Sequence, residues 1–166
     1  MDASQKIQEL PIVHCTLVLP VSNDRVLLGY KKRGFGAGKY NGIGGKIDPS
    51  ETSEQAAVRE SKEEVGITPT LFTKMADLSF LEWHGEKQGR VHVDVYVCEE
   101  WHGELIETDE MRPEWFPCEK PPYSEMPEDV PLWLPQILAG ERVVGRFTLD
   151  QDDLVTSHKI EFVEEF

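Results

Sequence analysis

The sequence predicts an α/β (α+β) fold, a mixed central sheet held between helices as an α/β/α sandwich, on three observations. Short apolar runs of strand length recur along the chain, two helix-forming stretches interrupt them, and turn residues separate the pieces. With 166 residues the chain can bury one substantial core, and its composition is that of an ordinary globular protein. Residues 1–166 are therefore expected to form a single domain, with no internal repeat and no low-complexity linker.

Each element has its own warrant. The opening MDASQKIQEL has no basic start and no apolar run of secretory length, and no stretch reaches the roughly 20 apolar residues of a membrane span. HCTLVLPV (14–21) and RVLLGYKK (25–32) read as a strand pair joined by the turn signal Ser22-Asn23-Asp24. The glycine-rich segment that follows reads as a loop, in which Gly44 and Gly45 allow close backbone approach or positive φ. Asp48, Pro49 and Ser50 offer helix start signals, and Gly66 is placed to stop the helix. Ala57, Ser61 and Val65 recur at spacing four, a stripe that lets the helix lie close on a sheet. LFTKMADLSFLEW (71–83) and RVHVDVYVCEEW (90–101) read as strands around a hairpin tip at 84–88. ETDEMRPEWFP (107–117) reads as a polar loop entering a short strand. Pro121, Pro122, Pro127, Pro131 and Pro135 break up the chain around a short helix near 129–139. VVGRFTLDQDDLVTSHKIEFV closes the chain as a hairpin turning at Asp150 to Asp153.

Charge narrows the function. With 31 acidic and 17 basic residues the formal charge is −14, which disfavours nucleic acid polymers and anionic membranes as partners. A phosphate-bearing partner would be a small molecule held locally, and Lys31, Lys32, Arg33 and Lys39 concentrate positive charge beside the glycines. Cys15, Cys98 and Cys118 are odd in number and form no CxxC pair, which indicates neither a disulfide framework nor a zinc site. They read as buried thiols in a reducing compartment. No exposed apolar stripe stands out, so a monomer is expected.

The sharpest local signal is acidic. Glu60, Glu63 and Glu64 sit at helical spacings of three and four, within an arc of about 100°, although like charges so placed repel. A solvated acidic face is one reading. The other is a cluster of hard oxygen ligands for Mg²⁺, with Mn²⁺ as the alternative ion.

Residues 45–67 read Gly45, five residues, Glu51, seven residues, then Arg59-Glu60-Ser61-Lys62-Glu63-Glu64-Val65-Gly66-Ile67. This resembles the Nudix box, GX5EX7REUXEEXGU with U a bulky aliphatic residue, the signature of hydrolases of nucleoside diphosphates linked to another group. Ser61 alone departs from it, at a position that should face the sheet. The resemblance implies that Glu60, Glu63 and Glu64 bind Mg²⁺ with the Gly44 carbonyl in reach, and that Glu51 and Arg59 form an ion pair tying loop to helix. Arg59 with Glu63 at i+4 is the local alternative.

Segments 25–46 and 107–116, and more weakly 126–135, resemble the MutT-like members that act on oxidised purine nucleoside triphosphates. That resemblance implies hydrolysis of substrates such as 2-oxo-dATP and 8-oxo-dGTP to the monophosphate and pyrophosphate, sanitising the nucleotide pool in the cytoplasm and also in the nucleus. Glu110 would join the metal cluster, and either Glu64 or Glu110 would serve as the base. The positions matching the base pocket are Thr16, Lys31, Phe35, Asn41, Met126, Glu128, Asp129 and Trp133. Asn41 suits a purine edge, Phe35 and Trp133 offer stacking faces, and adjacent Glu128 and Asp129 could share a proton. Taken singly, Asn41 is a turn residue beside Gly42, Trp133 core and Lys31 surface. The relatives carry two aspartates preceded by a tryptophan where this chain has Glu128, Asp129 and Met126. Hydrolysis of dinucleoside polyphosphates, nucleotide sugars or caps, and a non-catalytic nucleotide-binding module, stand as rival readings.

Overall fold

The computed structural model describes residues 2–166. A short helix that the sequence reading did not foresee, α1 (Ala3–Gln8), opens it, with Asp2 and Gln5 exchanging side-chain-to-backbone hydrogen bonds as a capping box. β1 (Ile12–Ser22) and β2 (Arg25–Lys31) pair antiparallel across the expected turn, where Asn23 and Asp24 take positive φ.

The glycine-rich segment is only partly a loop. Gly34, Gly36 and Gly38 adopt φ near 80°, but Tyr40–Asn41 (β3) pairs with β2 and Ile43–Lys46 (β4) pairs with β1. Gly44 and Gly45 are therefore strand residues without positive φ. Their use is close approach: a Cβ at Gly44 would lie 1.8 Å from the Thr16 carbonyl oxygen.

α2 (Ser53–Val65) begins later than Asp48-Pro49-Ser50 suggested. Thr52 is the cap, its hydroxyl accepting from Gln55 N–H while the Gln55 side chain accepts from Thr52 N–H. Gly66, at φ 80°, ends it as expected. Thr52→Ala should lower stability by about 1 kcal/mol, read as a shifted denaturant midpoint at unchanged slope; an unshifted midpoint would mean that packing alone holds this helix start. Ala57, Ser61 and Val65 are fully buried. Ser61 is accommodated because its hydroxyl donates to the Ala57 carbonyl at 2.8 Å, which satisfies its own buried donor.

β5 (Thr68–His84) and β6 (Lys87–His102) form a long antiparallel hairpin whose tip is only Gly85-Glu86. β7 (Met111–Pro117), a 3-10 turn at Tyr123–Glu125, α3 (Val130–Leu138), β8 (Arg142–Leu149) and β9 (Val155–Val163) complete the chain. The strand order is β3-β2-β1-β6-β5-β8-β9, with β4 on β1 and β7 on β2. β1–β6 and β5–β8 are parallel and the other pairs antiparallel, so the sheet is mixed.

Alternation along β1 separates two faces. Cys15, Leu17 and Leu19 pack into the core with Trp133 and Leu134 of α3, whereas Val18 packs with Ala57 of α2. The helices thus cover opposite faces of the sheet, the layering expected from the sequence. Of the three free cysteines only Cys98 is fully buried; Cys15 and Cys118 are half-buried. Among the described residues no helix is long and apolar enough to cross a membrane.

Candidate active site

The β4 strand and α2 build one end of a cleft. Glu64 is 5% exposed, and its Oε2 accepts from the Gly44 N–H at 3.3 Å. Glu60 lies against Gly45, where a Cβ would come within 2.7 Å of its Oε1. Burial, then the charge of Glu60, pushes Glu64 up to about 8, against the Gly44 N–H and Lys31. Two carboxylates crowded on two glycines, one of them resisting ionisation, form a site whose charge invites a divalent cation.

Glu63 shares an Arg59 nitrogen with Glu60 but stands further out in solvent. Its side chain is 59% exposed and its Oε2 accepts from Arg59 at 3.3 Å. Arg59 also grips Glu51 through two bonds of 2.6 and 3.0 Å, reaches Glu60 at 3.0 Å, and donates to the Lys46 carbonyl. Both pairings weighed for Arg59 are therefore made. Its guanidinium, with the Asp48 N–H, holds Glu51 below the usual carboxylate range.

The basic cluster divides. Lys32 bonds Glu107 and the Thr108 carbonyl, and Arg33 approaches Glu110 at 3.5 Å, so both are engaged with the loop before β7. Glu110 is more than half exposed at the edge of the cluster, where its charge reaches Glu64; the same loop is tied to α2 by the Thr108 hydroxyl donating to the Glu64 carbonyl. The charge of the half-buried Lys31 acts on Glu64 and Cys15, and that of the exposed Lys39 on Asp129.

Of the positions matched to the base pocket, Met126, Asp129 and Trp133 come together, while Thr16 lies on the other face of the sheet. Thr16 is fully buried on the α2 face, opposite Cys15, and its hydroxyl has no partner; strand alternation turns it from the α3 side. Asn41 Oδ1 accepts from Gly42 N–H at 2.8 Å, the turn-residue reading. Trp133 is in the core and donates its indole N–H to Asp129 at 2.8 Å, so its ring offers no free stacking face. Asp129 is 7% exposed and raised by burial, with the buried Met126 in the same core cluster as Trp133. Glu128 is exposed and accepts from Val155 N–H at 3.0 Å, which draws it to the β8–β9 turn rather than to a shared proton with Asp129. Phe35 is 65% exposed, its ring 5.5 Å from that of His84.

Cys15, Glu82 and His84 were missed. Burial pushes the Cys15 thiol up, and the charges of Lys46, Glu82, Glu60 and Lys31 all act on it. The alternation of Leu78, Phe80 and Glu82 along β5 was the available signal for Glu82. A second acidic cluster, Asp77, His92 and Asp94, is the group among the described residues whose ligand atoms lie within 4.8 Å of one another. Lys74 already sits there, 2.9 Å from Asp77 and 2.8 Å from Asp94, as the neutralising cation.

Comparison with known proteins covers nearly the whole of this architecture. The model of the NUDIX domain matches residues 13–138. The chain is 46% identical over 150 residues to the oxidized purine nucleoside triphosphate hydrolase of Danio rerio, covering 90% of this chain and 95% of the relative. It is 38% identical over 151 residues to the protein of the same name in Mus musculus, covering 91% and 96%. The crystal structure of the mutator MutT protein from Bacillus halodurans superposes with a TM-score of 0.80 at 23% identity, over 90% of this chain and 97% of that one, a likeness of fold.

Proposed function

The chain belongs to the NUDIX hydrolase family, and from that membership we propose that it hydrolyses oxidised purine nucleoside triphosphates to the monophosphate and pyrophosphate with the help of Mg²⁺. The observation that carries the reading is the buried Glu64, bonded to the Gly44 amide beside Glu60, in a chain 46% identical to a hydrolase named for those substrates.

Glu60, Glu64, the Gly44 carbonyl and Glu110 would hold the ion, with Glu63 joining after release from Arg59. When bound, a divalent cation offsets phosphate charge and lowers the pKa of coordinated water. Glu64 is the better base of the two candidates, because it is buried beside Glu60 and held in place by the Gly44 amide, whereas Glu110 is more than half exposed and lies against Arg33. Glu64 takes the proton of the attacking water, whose oxygen bonds to one phosphorus of the α–β anhydride as the bridging P–O bond breaks, and the nucleoside monophosphate and pyrophosphate are the products. Lys31 supplies positive charge at the same end. Arg59 keeps loop and helix in register through Glu51. We read the protein as a monomer of the cytoplasm, and of the nucleus as well, where the free cysteines stay reduced.

The test is turnover with Mg²⁺ of 8-oxo-dGTP, 2-oxo-dATP, dGTP, dATP, ADP-ribose and a dinucleoside polyphosphate, with chromatographic separation of products. Selective conversion of the oxidised purines to monophosphate and pyrophosphate is expected. Preference for a linked dinucleotide would keep the metal chemistry and overturn the substrate.

A further inference from the structure

Resting on that substrate reading, we propose that Glu82 is the second carboxyl of the base site, accepting a hydrogen bond from the ring N–H that oxidation places on a purine. Glu82 follows Leu78 and Phe80 on the face of β5 turned to α3, the face that also carries Cys15. It is 8% exposed, and Asp129 is 7% exposed, so both carboxyls are largely withdrawn from water.

Three segments remote in sequence bring charge together here. Asp129 from the start of α3 and Asp153 from the β8–β9 turn both act on Glu82, and Glu128 reaches that turn through Val155. His84 stands 3.1 Å from Glu82 Oε1 and occupies that oxygen, leaving Oε2 for a ligand. The cross-strand partner of Glu82 is Gly89, which has no side chain to cover it; a Cβ there would approach the His84 ring to 3.3 Å. His84 in turn meets the exposed Phe35 ring, 5.5 Å between centroids, which brings the glycine loop to the strand end that carries the carboxyl. Burial raises Glu82, with Asp153 and Asp129 adding to the rise and His84 opposing it.

The chemistry matches the two oxidised bases in one respect. In each, a ring nitrogen that accepts in the normal purine carries hydrogen in the oxidised one. A buried carboxylate meets the new donor favourably and the old lone pair unfavourably, and a site built to pair a polar group rejects ligands that leave it unpaired. Glu128, the neighbour of Asp129 in sequence, cannot take this role while it binds the Val155 amide.

The experiment is the ratio of kcat/KM for 8-oxo-dGTP over dGTP in the wild type, Glu82→Leu and Glu82→Gln, with calorimetric binding of 8-oxo-dGMP as an activity-independent readout. Glu82→Leu should lower the ratio at least fivefold and weaken 8-oxo-dGMP binding in step; a smaller fall in the ratio overturns the proposal. If Glu82→Leu does not fold by circular dichroism, Glu82→Gln decides at a threefold fall, since the amide loses the charge-assisted bond. A wild type that hydrolyses purine triphosphates without preferring the oxidised forms overturns the substrate reading, and this inference with it, before any variant is needed.

Discussion

Glu64→Gln is expected to keep the fold while lowering turnover roughly 100- to 10,000-fold, the range lost with a general base. The amide oxygen can still accept from Gly44 N–H, so the cradle survives and the proton acceptor does not. The same variant should be more stable than wild type in metal-free buffer above neutrality. Glu64 binds its proton more tightly folded, near 8, than at its ordinary 4.5. The folded state thus holds the extra proton between those values, and stability falls as pH rises through that window, by on the order of a few kcal/mol. Glutamine does not ionise, so its curve should be flatter, and Mg²⁺ should restore the wild type at pH 8 more than the variant. Thermal melts in EDTA at pH 5, 7 and 9 read this out. A wild type whose stability is level across that range would remove the shift of Glu64, and a variant that is unfolded would mean that the carboxylate is structural.

Gly44→Ala should be the most damaging small substitution in the chain. The added Cβ would lie 1.8 Å from the Thr16 carbonyl oxygen, 2.7 Å from its carbon and 3.1 Å from Leu17 Cα, all backbone atoms of β1. No rotamer relieves such contacts, so β4 must lift from β1. A loss of about 3 kcal/mol or more is expected, at or beyond the upper end of overpacking costs. Because the Gly44 amide also holds Glu64, residual folded protein should lose about 100-fold in activity, the scale of a 1 Å misplacement. Gly42→Ala is the control: its Cβ would meet side chains at 3.2 and 3.3 Å and a carbonyl oxygen at 3.4 Å, which small shifts can absorb. Equal melting temperatures for the two variants would refute the steric account.

Residues 53–66 show how far local reading reaches. The stripe of Ala57, Ser61 and Val65, the stop at Gly66 and the acidic arc were all visible as spacing, because helical period is a property of neighbours in sequence. The start was misjudged by a few residues: Asp48, Pro49 and Ser50 look like cap signals, yet Thr52 won because Gln55 three residues later completes the reciprocal box. Strand pairing was less legible. Nothing in the apolar runs announces that β1 runs parallel to β6, or that Gly44 and Gly45 belong to a strand, since both depend on partners distant in the chain.

The candidate site divides along the same line. By itself the sequence determined the family signature, the acidic cluster and a sandwich on a mixed sheet, carried by residue type and short spacing, while the Glu51–Arg59 pairing and the helices on both faces followed from the family resemblance. Only the tertiary structure decided that Glu63 turns outward to Arg59, that Thr16 and Cys15 face opposite layers, that Trp133 is core and that Glu82 stands near Asp129. It also decided that Glu64 prefers its proton. The reason is physical: burial and the distance between charges are set by which strands pair and which helix covers them, and those long-range choices shift a carboxylate in ways its sequence neighbours do not encode.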